Sequence, residues 1–344
     1  MNRLIFTLLT ITILVCGWHK QALAAERVSV SEWSQAWVKA SQKAGSFKTQ
    51  DLEKKALGAC SDCANKERLS KARSVFAKGQ FDEALRLYNE IPRGNTYWLT
   101  STEEKGWSYF RKEDYQKSLA QTKTLLSPQF AEVVNAEAYL LQSLSQLRMC
   151  DYKGVFETHQ TFKDKQKKRI MEVQNLAEKG WNEDLAAVLR KVDYFPLELA
   201  DIGDSAQRLP LLIYKDLEFQ KQLLRFKASF EVLQRLPESA LKKEVRDFNS
   251  ASFITLKKRV QTLAQKETDA NFKVIQKLNL VEVEAIQRVH ADTQLSENSY
   301  QKGEFKDVGD DKLVFMDDGR PWIDELDKFE VSAKSCVKGI RRKM

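Results

Sequence analysis

The stretch LSKARSVFAKGQFDEALRLYNEI, residues 69–91, decides how this chain folds. Ala72, Val75, Ala84, Tyr88 and Ile91 recur at helical spacing on either side of a polar turn at Gly79, with Phe81 opening the second half. That is the pattern of two short amphipathic helices joined by a tight link. A second copy reads Gly106, Tyr109, Tyr115, Ser118, Thr122 and Leu125. Phe81 and Tyr115 hold matching places in the two copies, one repeat period apart. Tyr152 opens a third, looser copy with Val155 and Phe162 behind it. Small residues fall where two helices must approach closely. One such hairpin cannot bury its apolar face alone, so neighbouring copies are expected to stack into a curved solenoid that presents a groove. A stack of this kind supplies a binding surface and no chemistry of its own.

The spacing from Phe81 to Tyr115, with an aromatic-x-x-Ala or aromatic-x-x-Ser start to the second helix, matches the period of the tetratricopeptide (TPR) pattern. In TPR hairpins the first helix of each pair lines the concave face. Phased on Phe81 and Tyr115, the inward positions are Arg73, Phe76, Trp107 and Phe110, with Arg111 close by. These five residues are the candidate protein-binding groove, suited to an extended or helical segment with some acidic character. Leu69 stands where chaperone-tail clamps of related repeats need a lysine, which argues against that ligand class.

The N-terminus reads as an export signal. Arg3 precedes an apolar run from Leu4 to Val15 that is too short to span a bilayer, and Ala22-Leu23-Ala24 is a small-x-small cleavage site. Val15 stands before Cys16 where lipidation wants a small residue, so cleavage after Ala24 is expected. The mature chain then carries 54 basic and 48 acidic residues, a net charge of +6. No later segment is long and apolar enough to cross a membrane, and an exported, periplasmic or outer-membrane-associated product follows for a Gram-negative source. The positive charge is spread along helix faces, without the dense basic stripe and aromatics that nucleic acid requires.

Thirteen glycines and six prolines are few for 344 residues. Strands need turn residues at close spacing, and that punctuation is missing until the last forty positions. The expected fold is therefore all-α. It comprises a signal peptide over 1–24, an N-terminal cap helix with three TPR-like repeats over 25–165, a long-helix hairpin region over 166–295, and a small β-containing tail over 296–344. Trp33 and Trp37 lie one turn apart on the cap helix, which should cover the first repeat. Lys163 to Arg169 is a basic run expected on an exposed helix face. Leu212, Phe219, Leu223, Phe226, Phe230 and Leu233 form an apolar seam that skips one position at Asp216. After Pro237 a second helix carries Phe253, Leu256, Val260 and Leu263, continued by Ile275, Leu278, Ile286 and Val289. The two should fold back as an antiparallel hairpin. In the tail, 313–316 and 329–333 read as strands and Trp322 as an anchor onto the helices.

Chemistry is hard to find. There is no phosphate-cradling glycine loop, nucleophile elbow, zinc helix or dinucleotide fingerprint. His159 and His290, the two histidines of the mature chain, both read as surface residues. The expectation is a protein that is not an enzyme and takes no cofactor or metal. Carboxylate pairs leave no sequence signature, so the competing reading is an envelope hydrolase acting on peptidoglycan or another glycan. Cys60-Ser61-Asp62-Cys63 could be half a zinc site, a redox pair or a small disulfide. With only Cys150, Cys336 and two scattered histidines besides, zinc lacks ligands at sensible spacing. Four mature cysteines allow three connectivities in an oxidising compartment. The short loop favours Cys60–Cys63, leaving Cys150–Cys336 to staple the tail, with a buried free thiol at Cys150 as the alternative.

The export signal, the run Leu147-Arg148-Met149-Cys150-Asp151-Tyr152, Leu280-Val281-Glu282-Val283-Glu284, and the tail Trp322-Ile323-Asp324-Glu325-Leu326 to Cys336 together resemble exported TPR proteins of gliding and predatory deltaproteobacteria. Some of those belong to adventurous-gliding machinery. The resemblance implies a scaffold or adaptor that holds protein partners in a cell-envelope assembly, and it carries over no catalytic residues.

Overall fold

The computed structural model describes residues 27–44, 57, 63–130, 133–291, 326 and 328–331. The expected export signal, Cys60, Trp322, Cys336 and most of the expected β tail lie outside the described residues.

Within them the chain is almost wholly helical. Helix α1 is Val30–Ala44. Three hairpins follow in order: α2 (Cys63–Ala77) with α3 (Phe81–Asn89), α4 (Trp98–Arg111) with α5 (Tyr115–Leu125), and α6 (Glu137–Arg148) with α7 (Tyr152–Lys179). Each helix packs against the next along this row. The three hairpin turns have the same backbone. Gly79, Glu113 and Cys150 each adopt a left-handed φ, at 78°, 62° and 61°. The residues after them, Gln80, Asp114 and Asp151, share φ near −85° and ψ of 67–73°. Their N–H groups donate to the carbonyls of Val75, Tyr109 and Gln146 in turn, closing the last turn of each first helix. The third hairpin, the least regular in sequence, makes the same turn as the other two.

Close helix approach is concentrated where the small residues stand. A Cβ on Gly106 would come within 2.7 Å of Leu141 Cδ2 and 3.4 Å of Gln121 Cβ, so only glycine lets α4 sit this near α5 and α6. Ser118 and Ser145 meet across α5 and α6 in a buried hydroxyl pair at 2.9 Å.

Beyond the hairpins come α8 (Glu183–Lys191), the single turn α9 (Leu199–Ile202), α10 (Leu217–Arg235) and α11 (Ala240–Ala291). At 52 residues α11 is about 78 Å long. It is the spine of the molecule. Its buried positions are Val245, Ser252, Leu256, Val260, Ala264, Asn271, Val274, Leu278, Val281 and Ala285, successive ones three, four or seven apart. The first half of that stripe joins a core with α1, α8 and α10, and the second half joins a core with α6 and α7. Polar clamps hold the register. Asp216 caps α10 by accepting from Phe219 N–H at 2.8 Å and is gripped by Arg259 of α11 at 2.6 and 2.9 Å.

Several expectations need correcting. Helix α1 does not cover the first hairpin: Trp33 and Trp37 are buried with Phe219, Leu223 and Val245 in the C-terminal core. The seam on α10 begins at its cap, Asp216, so Leu212 lies outside the helix with φ of 56°. Phe230 is 53% exposed, because α10 turns Phe219, Leu223, Leu224, Ala228 and Val232 inward instead. The return helix is far longer than α10, and Ile286 is exposed on its outer side. In the basic run Arg169 is buried, not solvated. It ion-pairs with Glu267 of α11 and donates to the carbonyls of Leu209 at 3.0 Å and Gln207 at 3.2 Å. His159 is buried as well, its Nδ1 3.2 Å from Glu282. Among the described residues the one sheet is β1 (Val28–Ser29) paired antiparallel with β2 (Tyr194–Phe195), and 328–331 form no strand.

Candidate functional site

The expected groove residues all lie on the first helices of hairpins one and two, Arg73 and Phe76 on α2, Trp107, Phe110 and Arg111 on α4. Helix α4 is free to pack closely because its buried hydroxyls are satisfied internally. Ser101 and Thr102 donate to the Trp98 carbonyl and Ser108 to that of Glu104.

The five residues divide into three environments. Arg73 leaves its guanidinium accessible but spends it on Glu104, whose Oε1 accepts from Nε at 2.8 Å and from Nη2 at 2.6 Å. Phe76 and Phe110 belong to an aromatic row along the turn edge. Phe76 meets Phe81 edge to face at 5.4 Å, and Phe110 meets Tyr115 at 5.3 Å. Arg111 lies over the Phe81 ring at 6.0 Å and joins the two pairs. Trp107 sits 5.7 Å from Phe110 but is half-buried beside the core of the third hairpin, with its indole Nε1 shielded from solvent and without an acceptor.

Two carboxylates beside these residues, Glu103 and Glu104, escaped the sequence reading. Glu103 is half-buried and accepts from Asn135 Nδ2 at 3.0 Å. Burial, then the charge of Glu137, then that of Glu104, push its carboxyl up to about 7, against the pull of Asn135 and Arg73. Burial followed by the Glu104 charge also pushes the Tyr88 phenol up. A signal for Glu103 existed. It stands one repeat period after Leu69, so the phase that placed Leu69 on the inner face placed Glu103 there too.

The apolar surface of the first hairpin is occupied. Leu69, Ala72, Ala84, Leu87, Tyr88, Ile91 and Trp98 form one cluster, and Leu326 from the far end of the chain is buried in it. Phe329 packs against the same cluster, as do Phe76, Tyr97, Leu99 and Phe130.

Cys63 and Cys150 are both disulfide-bonded, which removes the free-thiol alternative at Cys150. The described residues hold no group of three or more His, Cys, Asp or Glu arranged to take a metal ion. Neither of two surface cavities is lined by Glu103. One is lined by Gly79, Phe81, Asp82 and Lys112, and the other, of about 220 Å³, by Tyr139, Gln142, Gln146 and Thr158. No helix among the described residues is long and apolar enough to cross a membrane.

No protein-family model matches the chain. No curated protein and no solved structure matches it either.

Proposed function

We propose that this chain is an exported scaffold of TPR type, which uses the inner face of its hairpins to hold a protein segment within a cell-envelope assembly. The observation that carries the reading is the seating of Leu326 and Phe329 on the first hairpin: a surface that takes a short apolar segment remote in sequence is a peptide-binding surface. The repeated turn at Gly79, Glu113 and Cys150 and the close approach at Gly106 support the repeat assignment. The aromatic row of Phe76, Phe81, Phe110 and Tyr115 with Arg111 supplies rigid anchors and one cation, a composition common at interfaces. Location in the periplasm or at the outer membrane, and a role in a gliding-type machine, rest on the N-terminal signal and the family resemblance.

A photo-crosslinking amino acid in place of Phe76 or Phe110 tests this in cells. The adaptor reading expects a discrete crosslinked protein in the envelope fraction that Arg111→Ala weakens. Absence of any crosslink from both positions would overturn it.

One observation favours the hydrolase reading: a carboxyl raised to about 7 beside a second carboxylate is the arrangement of a general acid and its partner. Neither surface cavity includes Glu103, however, and Glu104 is held by Arg73. Release of soluble fragments from purified peptidoglycan, abolished by Glu103→Gln, would establish that activity.

A further inference from the structure

Among the described residues the first hairpin is the first of its row, and the first repeat of a stack has an apolar face that no preceding repeat covers. Helix α1 does not cover it, being buried in the C-terminal core. Leu326 is 3% exposed in the cluster that Leu69, Ala72, Tyr88 and Ile91 of the first hairpin form with Trp98 at the start of α4. Phe329 follows three residues later and packs against the same cluster, while Lys328 and Glu330 face solvent. Residues 328–331 enter no helix and no strand, and Leu326 and Phe329 are the apolar side chains of the described segment that reach the cluster. The sequence around them, Asp324-Glu325-Leu326-Asp327-Lys328-Phe329-Glu330, offers no third large apolar residue and four acids.

We propose that the segment around Leu326 and Phe329 is a resident ligand of the first hairpin, bound in cis, and that the partner in trans is a protein segment presenting the same Leu-x-x-Phe pattern in an acidic setting. The proposal rests on the adaptor reading and gives it a ligand chemistry and a control. Two anchors make a weak contact by themselves. Covalent attachment gives them a high effective concentration, so the site is filled until a stronger or more abundant copy competes. A partner then meets a hairpin whose open fraction is small, and its apparent affinity falls by that fraction. The chain is thereby kept from engaging stray apolar segments until its assembly partner is present.

The test uses the full mature chain with its disulfides intact and a fluorescent peptide of residues 324–331, DELDKFEV, read by polarisation. The variant Leu326→Ala/Phe329→Ala releases the resident segment while leaving the hairpin residues unchanged. The expected result is peptide binding at least about tenfold tighter to this variant than to the natural chain. A control peptide with both anchors replaced by alanine should not bind. Equal affinity for the two proteins, or equal binding of the control peptide, would overturn cis occupancy. So would loss of the cooperative melt in the alanine variant, because Leu326 would then be part of the core and not a ligand. Crosslinks from Phe76 and Phe110 to an envelope protein would persist in that event and leave the adaptor reading standing. Conversely, tight peptide binding without any crosslinked partner would sustain the cis contact and sink the adaptor.

Discussion

Replacing Glu103 by glutamine keeps the shape of the side chain and its hydrogen bond with Asn135, and removes only the charge. In the folded protein the carboxyl titrates near 7, against 4.5 for an unperturbed glutamate. The folded state therefore holds this proton more tightly than the unfolded chain. Its contribution to stability is complete below pH 4.5 and is lost as pH rises through 7. A displacement of about 2.5 units corresponds to about 3 kcal/mol at 1.36 kcal/mol per unit, and partial contact with solvent brings this to about 2–3 kcal/mol. The glutamine variant should match the natural chain near pH 4.5 and exceed it by that amount at pH 8. A difference of this size moves the melting temperature by roughly 4–10 °C. His159 contributes a pH dependence of the opposite sign, since burial depresses it more than Glu282 raises it, and its protonation weakens the fold. It is present in both proteins and cancels in the difference. Thermal melts of the pair at half-unit steps from pH 4.5 to 8 measure the effect. Parallel curves across that range would refute the account of Glu103 as a carboxylate raised by burial and by the charge of Glu137.

Four other outcomes are expected. Arg169→Met strands the Glu267 carboxylate and leaves the Leu209 and Gln207 carbonyls without their donor, costing about 3–5 kcal/mol in chemical denaturation. Leu223→Asp, at a fully buried position on α10, should cost a similar amount, whereas Phe226→Asp, half-buried against Phe253 at 5.1 Å, should cost about 1–3 kcal/mol; equal effects would contradict the observed rotation of α10. Glu113→Gly relieves a left-handed non-glycine residue at the second hairpin turn and should raise stability by about 0.5–1 kcal/mol, with no gain indicating a strain-free turn. Non-reducing peptide mapping should pair Cys60 with Cys63 and Cys150 with Cys336, and a peptide joining Cys60 to Cys150 would reverse that assignment.

The periodic apolar residues by themselves determined that this chain is helical and that hairpins recur through residues 69–162. Those features are local: a stripe at helical spacing and a polar turn once per repeat need no knowledge of distant contacts. Gly106 could be read as a close-approach position for the same reason. What each helix packs against is another matter. The stripe on α1 is the same whether it meets the first hairpin or α10, and only the fold sends Trp33 and Trp37 to the C-terminal core. Arg169 and His159 look like solvated charges in the sequence, because their partners, Glu267 and Glu282, lie far along the chain on α11. Phe226 and Phe230 both fit a seam, and the rotation of α10, set by Asp216 and Arg259, decides that Phe230 faces water. The raised Glu103 carboxyl depends first on its burial and then on the charge of Glu137, brought in from the third hairpin, and neither is local to its own repeat. The apolar seat on the first hairpin was implicit in its pattern; that Leu326 fills it is a fact of tertiary structure, since a two-residue anchor becomes specific only when a preformed surface is there to receive it.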